Sequence, residues 1–373
     1  MSENEKLKYV NITDVKYKNV MGRTNEKLPF LPLFWTGSGV EINVTGSELW
    51  VDIEAGHDFH EPWIAVLLND ALMIRQRLSK GMNSICLFRS MMPEGVKNIK
   101  VIRETQAMPE DLSCYVLVKG FKTDGDFKEV ARKPYRIEFV GDSITSGEGS
   151  YGAPCDVEWL TMYMSATVNY AVKTANRLNA EYSILSQCGW GVCSAWDNDI
   201  RHVMPNVYEK VCGSSIGGTN DAYGASEDYD FSSFCPNAIV VNLGTNDAAA
   251  FQNAPFDVPG IGPCKLYLNE DGTYKKEDAL KVSKAVTDFL SMIRKNNPTS
   301  HIVWVYGMIG HDLSDIIKKG VDDYIDATND NNAAYLLVPD TPEEDKGAHG
   351  HPGAVSHEKM AILLSQYLSK VIQ

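Results

Sequence analysis

The sequence predicts an α/β protein in two parts: a β-sandwich or jelly roll, then a domain built on a parallel sheet with helices on both faces. Three observations lead there. Up to about residue 130 the chain runs in short strand-like segments divided by turn residues, with no long helical pattern. From Tyr135 onward, β-branched runs alternate with stretches whose apolar residues recur at helical spacing. Between the two rhythms lies a charged, proline-containing stretch, DGDFKEVARKP (124–134), of the kind that separates domains. The expected domains are residues 1–130 and 131–373.

In the first part, GVEINVTGSELWVDIEA (39–55) alternates apolar and polar residues and breaks at Thr45, Gly46 and Ser47, which predicts two strands and a turn. WIAVLLND (63–70), SICLFRSM (84–91), NIKVIRET (98–105) and CYVLVKGF (114–121) continue the series. In the second part, RIEFV (136–140), YSILSQ (182–187), NAIVVNLG (237–244) and HIVWVYGMI (301–309) read as buried parallel strands. Helices are expected near 164–179, over 277–296 and over 356–373. The stretch 197–234, rich in Gly, Ser and Asp, predicts a loop insertion near the site.

The 373 residues are 44% hydrophobic and 23% charged, ordinary for a globular protein with a sizeable core. A net charge of -14 argues against nucleic acid or an anionic membrane as partner and fits a neutral substrate. The N-terminal segment MSENEKLKYVNITDVKYKN is polar throughout, without the apolar stretch of a signal peptide, so a cytoplasmic location is expected. No run approaches the ~20 apolar residues of a membrane span. Eight cysteines occur with no CxxC pair, as expected of free thiols in a reducing compartment.

The chemistry concentrates at strand ends. RIEFVGDSITSGEG (136–149) runs from a buried strand directly into Gly141, Asp142 and Ser143, where open α/β sheets hold their ligands. Serine is a weak nucleophile and needs a base and oxyanion donors. The Ser143 amide is one donor; SQCGWGV (186–192) offers Gly189 or Gly191 as a second; NLGTND (242–247) offers the Asn246 side chain as a third. HGHPGAVSHEKMA (349–361) supplies His351 as the base, just before the last helix. Asp142, grouped with Trp190 on the substrate side, is read as bracing the Ser143 loop rather than carrying a proton. Trp190 and Trp196 offer aromatic faces suited to sugar rings. His349 and His351 form an HxH pair, but clear metal partners are lacking, and no metal is expected. HDFH (57–60) is read as a satisfied surface or core element.

GDSIT, the glycine turn, GTND and a late His-Pro resemble the four blocks of the SGNH hydrolase superfamily, in the same order. FWTGSGVEINVTGSELWVDIEA ahead of IKVIRETQA and GDSITSGEG is similar to carbohydrate esterase family 2, from about residue 30 to the end. The resemblance implies a jelly roll joined to a three-layer α/β/α, flavodoxin-like SGNH domain. It also implies an acetyl esterase without cofactor, acting on acetylated xylan or mannan oligosaccharides or polysaccharides. One departure stands out: the superfamily's acid, three residues before the histidine, is here Ala348. The resemblance then implies a Ser143–His351 dyad whose histidine is oriented by a backbone carbonyl, with Asp345, Glu343 or Glu344 as substitutes. Two other readings remain open from sequence: a lipid or acyl-thioester hydrolase on the same fold, and a non-catalytic carbohydrate-binding protein.

Overall fold

The structure, a computed structural model, describes residues 7–372. The chain divides into two compact units. The first holds the residues up to Lys133 together with Leu160–Thr167 and Lys210–Tyr229; the second holds Pro134–Trp159, Val168–Glu209 and the remainder from Asp230.

The first unit is a pair of antiparallel sheets around one apolar core. Its strands are β1 (Lys8–Asn11), β2 (Lys18–Met21), β3 (Leu31–Pro32), β4 (Gly39–Val44), β5 (Leu49–Gly56) and β6 (Trp63–Leu68). They continue with β7 (Ala71–Arg77), β8 (Gly81–Phe88), β9 (Lys97–Arg103), β10 (Tyr115–Thr123) and β11 (Phe127–Lys128). One sheet runs β1-β10-β5-β8 with β3 on β10; the other runs β11-β4-β9-β6-β7 with β2 on β4. Val40, Ile42 and Val44 of β4 meet Val51 and Ile53 of β5 in the shared core, which is the sandwich arrangement. The chain crosses between sheets at Gly46 (φ 95), where Asp124 accepts the amides of Ser47 and Glu48. A Cβ at Gly46 would lie 2.6 Å from the Asp124 carboxylate, so the crossing needs glycine. Strand β7 had no counterpart in the sequence reading. Asn69 (φ 50) and Asp70 (φ 65) make a two-residue hairpin turn that folds it back on β6.

The second unit holds β12 (Tyr135–Gly141), α1 (Ser143–Ser146), α2 (Tyr170–Arg177), β13 (Ala180–Ser186), β14 (Ala238–Asn242) and α3 (Thr245–Gln252). A short hairpin of β15 (Phe256–Val258) and β16 (Gly262–Cys264) precedes α4 (Lys276–Asn296), β17 (His301–Met308), α5 (Ser314–Thr328), β18 (Ala333–Asp340) and α6 (Ala354–Leu368). The parallel sheet has the order β13-β12-β14-β17-β18, the 2-1-3-4-5 order of a flavodoxin-like domain. Right-handed crossovers place α2 with α6 on one face and α4 with α5 on the other. Gly141 pairs with Ser186 on one side and Asn242 on the other, so three strands end level at the point where strand order reverses. That edge is where such sheets bind ligands.

The helix expected from residue 164 starts later, because Asn169 caps it by accepting the amide of Ala171 at 2.6 Å. The closing helix runs Ala354–Leu368 rather than 356–373. Helix α5 and edge strand β18 were not singled out from sequence. The stretch 197–234 holds only single 3-10 turns, and Lys210–Tyr229 clusters with the first unit. Among the described residues, no helix is long and apolar enough to cross a membrane.

Candidate active site

Strand β12 delivers the chain into a single helical turn. A Cβ on Gly141 would lie 2.0 Å from Thr145 Oγ1, so only glycine lets the strand end so close to the turn. Asp142 caps the turn, its Oδ1 accepting the Ile144 amide at 3.0 Å. Gly147 (φ 76) ends it in a left-handed residue, and the Glu148 amide donates back to the Ser143 carbonyl at 3.0 Å. The result is a tight loop that presents Ser143 (5% exposed) and returns the chain beneath it.

The imidazole of His351 lies opposite. Ser143 Oγ stands 2.8 Å from His351 Nε2, and His351 Nδ1 stands 2.9 Å from the His349 carbonyl oxygen. A carbonyl can only accept, so Nδ1 carries the proton and Nε2 is left to accept from the serine hydroxyl. His349 is left-handed (φ 54, ψ 30), and its amide donates to the Asp156 carbonyl at 2.6 Å. Its Nδ1 lies 2.5 Å from Glu148 Oε1, and its ring stacks on that of His351 with centroids 5.4 Å apart. The same Glu148 oxygen lies 3.5 Å from His351 Nδ1. Of the acids considered upstream, Asp345 pairs with Lys359 and Glu343 with Lys346.

Burial pushes the Glu148 carboxyl up, but His351 and hydrogen bonds from His349 and Cys188 hold it below the usual carboxylate range. The hydrogen bond to Glu148 raises His349 in turn. Main-chain contact fixes the distance between the two loops. A Cβ on Gly149 would meet the Ala348 carbonyl oxygen at 2.4 Å and His351 Cβ at 2.6 Å, and one on Gly347 would lie 1.8 Å from the Gly149 carbonyl oxygen.

The oxyanion candidates share a third cluster. Gly189 (φ 79) needs its left-handed turn. Asn246, in the first turn of α3, donates to the Trp190 carbonyl at 3.0 Å. Asp247, absent from the sequence reading as a site residue, accepts the amides of Val192, Cys193 and Ser194 at 2.9, 2.7 and 2.9 Å. Burial raises its carboxyl against the pull of those three donors. Gly191 packs on it so closely that a Cβ would lie 2.4 Å from its carboxylate. Asp247 thus ties the end of β14 to the glycine turn after β13.

Two expectations for substrate contact are corrected. Trp190 is only 5% exposed and stacks one face on His202 at 5.0 Å, which leaves little of its ring open to a sugar. Trp196 is 52% exposed and lies over Gly189, where a Cβ would meet its Cδ1 at 2.9 Å. Asp142 is fully buried, so it caps the turn and has no substrate-facing surface. Burial drives its carboxyl up to about 7. His357 is buried as well, accepting the Tyr170 amide on Nδ1, and burial drives it down to about 3.

Glu148, His349 and His351 bring three donor atoms within 4.8 Å of one another. Both imidazole Nδ1 atoms already face hydrogen-bond partners, so a metal ion there would have to displace their protons. Glu148 lies inside the GDSITSGEG run, but its burial and its contact with His349 are visible only in the fold.

No protein-family model matches the chain. Among solved structures, an acetyl xylan esterase (Est2A) from the rumen bacterium Butyrivibrio proteoclasticus is 48% identical, with 98% of each chain covered and a TM-score of 0.96. An acetylxylan esterase / glucomannan deacetylase of Cellvibrio japonicus is 24% identical over 361 residues, 95% of this chain and 88% of that protein. The cellulase/esterase CelE of Acetivibrio thermocellus is 24% identical over 338 residues, 89% of this chain, which spans only 36% of that protein's length.

A 2-1-3-4-5 parallel sheet whose first strand ends in a serine bonded to an imidazole defines an ester hydrolase of the SGNH type. Within that class, the chain belongs to carbohydrate esterase family 2.

Proposed function

We propose that this chain is a carbohydrate O-acetyl esterase that removes acetyl groups from xylan- or mannan-derived saccharides through a Ser143–His351 dyad. The observation that carries the reading is the 2.8 Å contact between Ser143 Oγ and a His351 Nε2 whose other nitrogen is held by a carbonyl. That tautomer is the one able to take the serine proton.

Ser143 Oγ attacks the acetyl carbonyl as His351 Nε2 accepts its proton. The oxyanion is held by the Ser143 amide, an amide of the Gly189–Gly191 turn and the Asn246 side chain. The C–O bond to the sugar then breaks, and His351 returns the proton to the departing alkoxide. Water, deprotonated by the same nitrogen, releases acetate and restores the serine. Exposed Trp196, over the glycine turn, offers an apolar face for a sugar ring beside the attacked ester. The names of the relatives supply the substrate class: acetylxylan and glucomannan.

The test follows acetate by NMR during incubation with acetylated xylan, acetylated mannan and their oligosaccharides. Ser143→Ala is expected to lower kcat by about 10⁴-fold or more. Wild-type turnover in that variant would rule the mechanism out, and rates that rise from acetyl to butyryl esters would move the substrate toward lipid or other acyl groups.

A further inference from the structure

The position where an acid would steady the base holds Ala348, and a peptide carbonyl takes the Nδ1 proton instead. A carbonyl fixes the imidazole tautomer, but it brings no net charge to meet the imidazolium that forms when serine gives up its proton. The charge is present from another direction. Glu148 is a buried carboxylate five residues after Ser143, with Oε1 3.5 Å from His351 Nδ1 and 2.5 Å from His349 Nδ1.

We propose that Glu148 is the positioning acid of this site, supplied from the nucleophile's loop, and that it acts on His351 both by its charge and by fixing His349. This rests on the dyad reading above. The charge is well placed, since two loops enclose the carboxylate and little solvent screens it. The mechanical part follows from the backbone. His349 is held left-handed by its amide bond to Asp156 and its ring bond to Glu148, and its carbonyl is the acceptor for His351 Nδ1. Glu148 therefore holds the residue that aims the base.

The groups facing this carboxylate are His349 and His351 on the base's loop, Cys188 after β13, and Asp142 at the head of its own loop. His357 faces His351 from α6 and stays neutral. Cys188 adds a hydrogen bond to Glu148, and burial keeps that thiol protonated. Among the described residues, this carboxylate is the anion that stands 3.5 Å from His351 Nδ1, while protonation of His349 would oppose it.

The test compares wild type with Glu148→Gln, Glu148→Asp and His349→Gln. Glu148→Gln keeps a side chain that can accept from His349 and removes the charge. It is expected to lower kcat by about ten- to a hundredfold with KM little changed, and to move the acid limb of kcat/KM about one pH unit lower. Glu148→Asp should recover part of both effects, and His349→Gln should lower kcat while keeping most of the charge-dependent limb. Inactivation of Ser143 by a fluorophosphonate, followed against pH, needs the base but no sugar or acetyl group. Its limb should move in Glu148→Gln in the same way, so a wrong substrate assignment leaves this readout intact. Unchanged limbs in Glu148→Gln, whether its rate is normal or reduced alongside a lower melting temperature, would reduce Glu148 to a structural residue and overturn the proposal.

Discussion

Asp142 and Glu148 stand at opposite ends of the turn that carries Ser143, both withdrawn from solvent, yet their carboxyls behave in opposite ways. Burial drives Asp142 up to about 7, with the Ile144 amide on Oδ1 and no hydrogen-bond partner on Oδ2. Glu148 suffers the same burial but faces two imidazoles and a thiol, and it stays below the usual carboxylate range. The difference shows that the two imidazoles and the thiol around Glu148 outweigh its burial, whereas the single amide at Asp142 does not. One end of the loop is a cap, and the other is a charge.

A third buried carboxyl sharpens that contrast most strongly. Asp247 → Ala would leave the amides of Val192, Cys193 and Ser194 without an acceptor. It is expected to cost about 3–5 kcal/mol of stability in urea denaturation and to abolish turnover. A loss under about 1 kcal/mol would break the idea that this carboxyl holds the glycine turn against the end of β14.

Asp142→Asn keeps the cap and removes the titration. The folded value of Asp142 lies above its unfolded value, so the stability it lends is full below about 3.9 and is lost as pH rises toward 7. Relative to wild type, the variant should therefore gain roughly 1–4 kcal/mol in stability between pH 4 and pH 8, read from urea midpoints. A difference that does not vary with pH contradicts the assignment.

Glu148→Gln should show the opposite slope and the smallest effect. Its folded value lies below the unfolded one, so its contribution is present at neutral pH and is lost as pH falls below about 4.3. The variant should be less stable than wild type by under about 2 kcal/mol at pH 7, with the gap narrowing as pH falls below about 4. Parallel pH profiles for the two proteins would show that Glu148 is not held as an anion.

The placement of Ser143, Asn246, His351 and the glycine turn was legible because each sits within a few residues of a strand end or the last helix, where local pattern and spacing carry the information. Four of the five parallel strands were legible for the same reason, being continuous β-branched runs. Edge strand β18 was not: its residues run irregularly through buried, half-buried and exposed, so no single period marks it. Trp190 and Trp196 are six residues apart in one turn, and nothing in their chemistry says which goes inside; stacking on His202 decides it. Glu148 depended on a contact between residues 201 positions apart, created when Gly147 turns the chain back. Spacing along the chain does not reveal such a meeting.

The glycine contacts between residues 149 and 347 bear on how this scaffold can diversify. Two main chains touch there with no side chain between them, so even a methyl group would wedge nucleophile and base apart. Mutational routes toward bulkier substrates are closed along that seam. Exposed Trp196, over the glycine turn, is under no such constraint. The room for change in this enzyme therefore lies at its surface, while the spacing at its centre tolerates no added side chain.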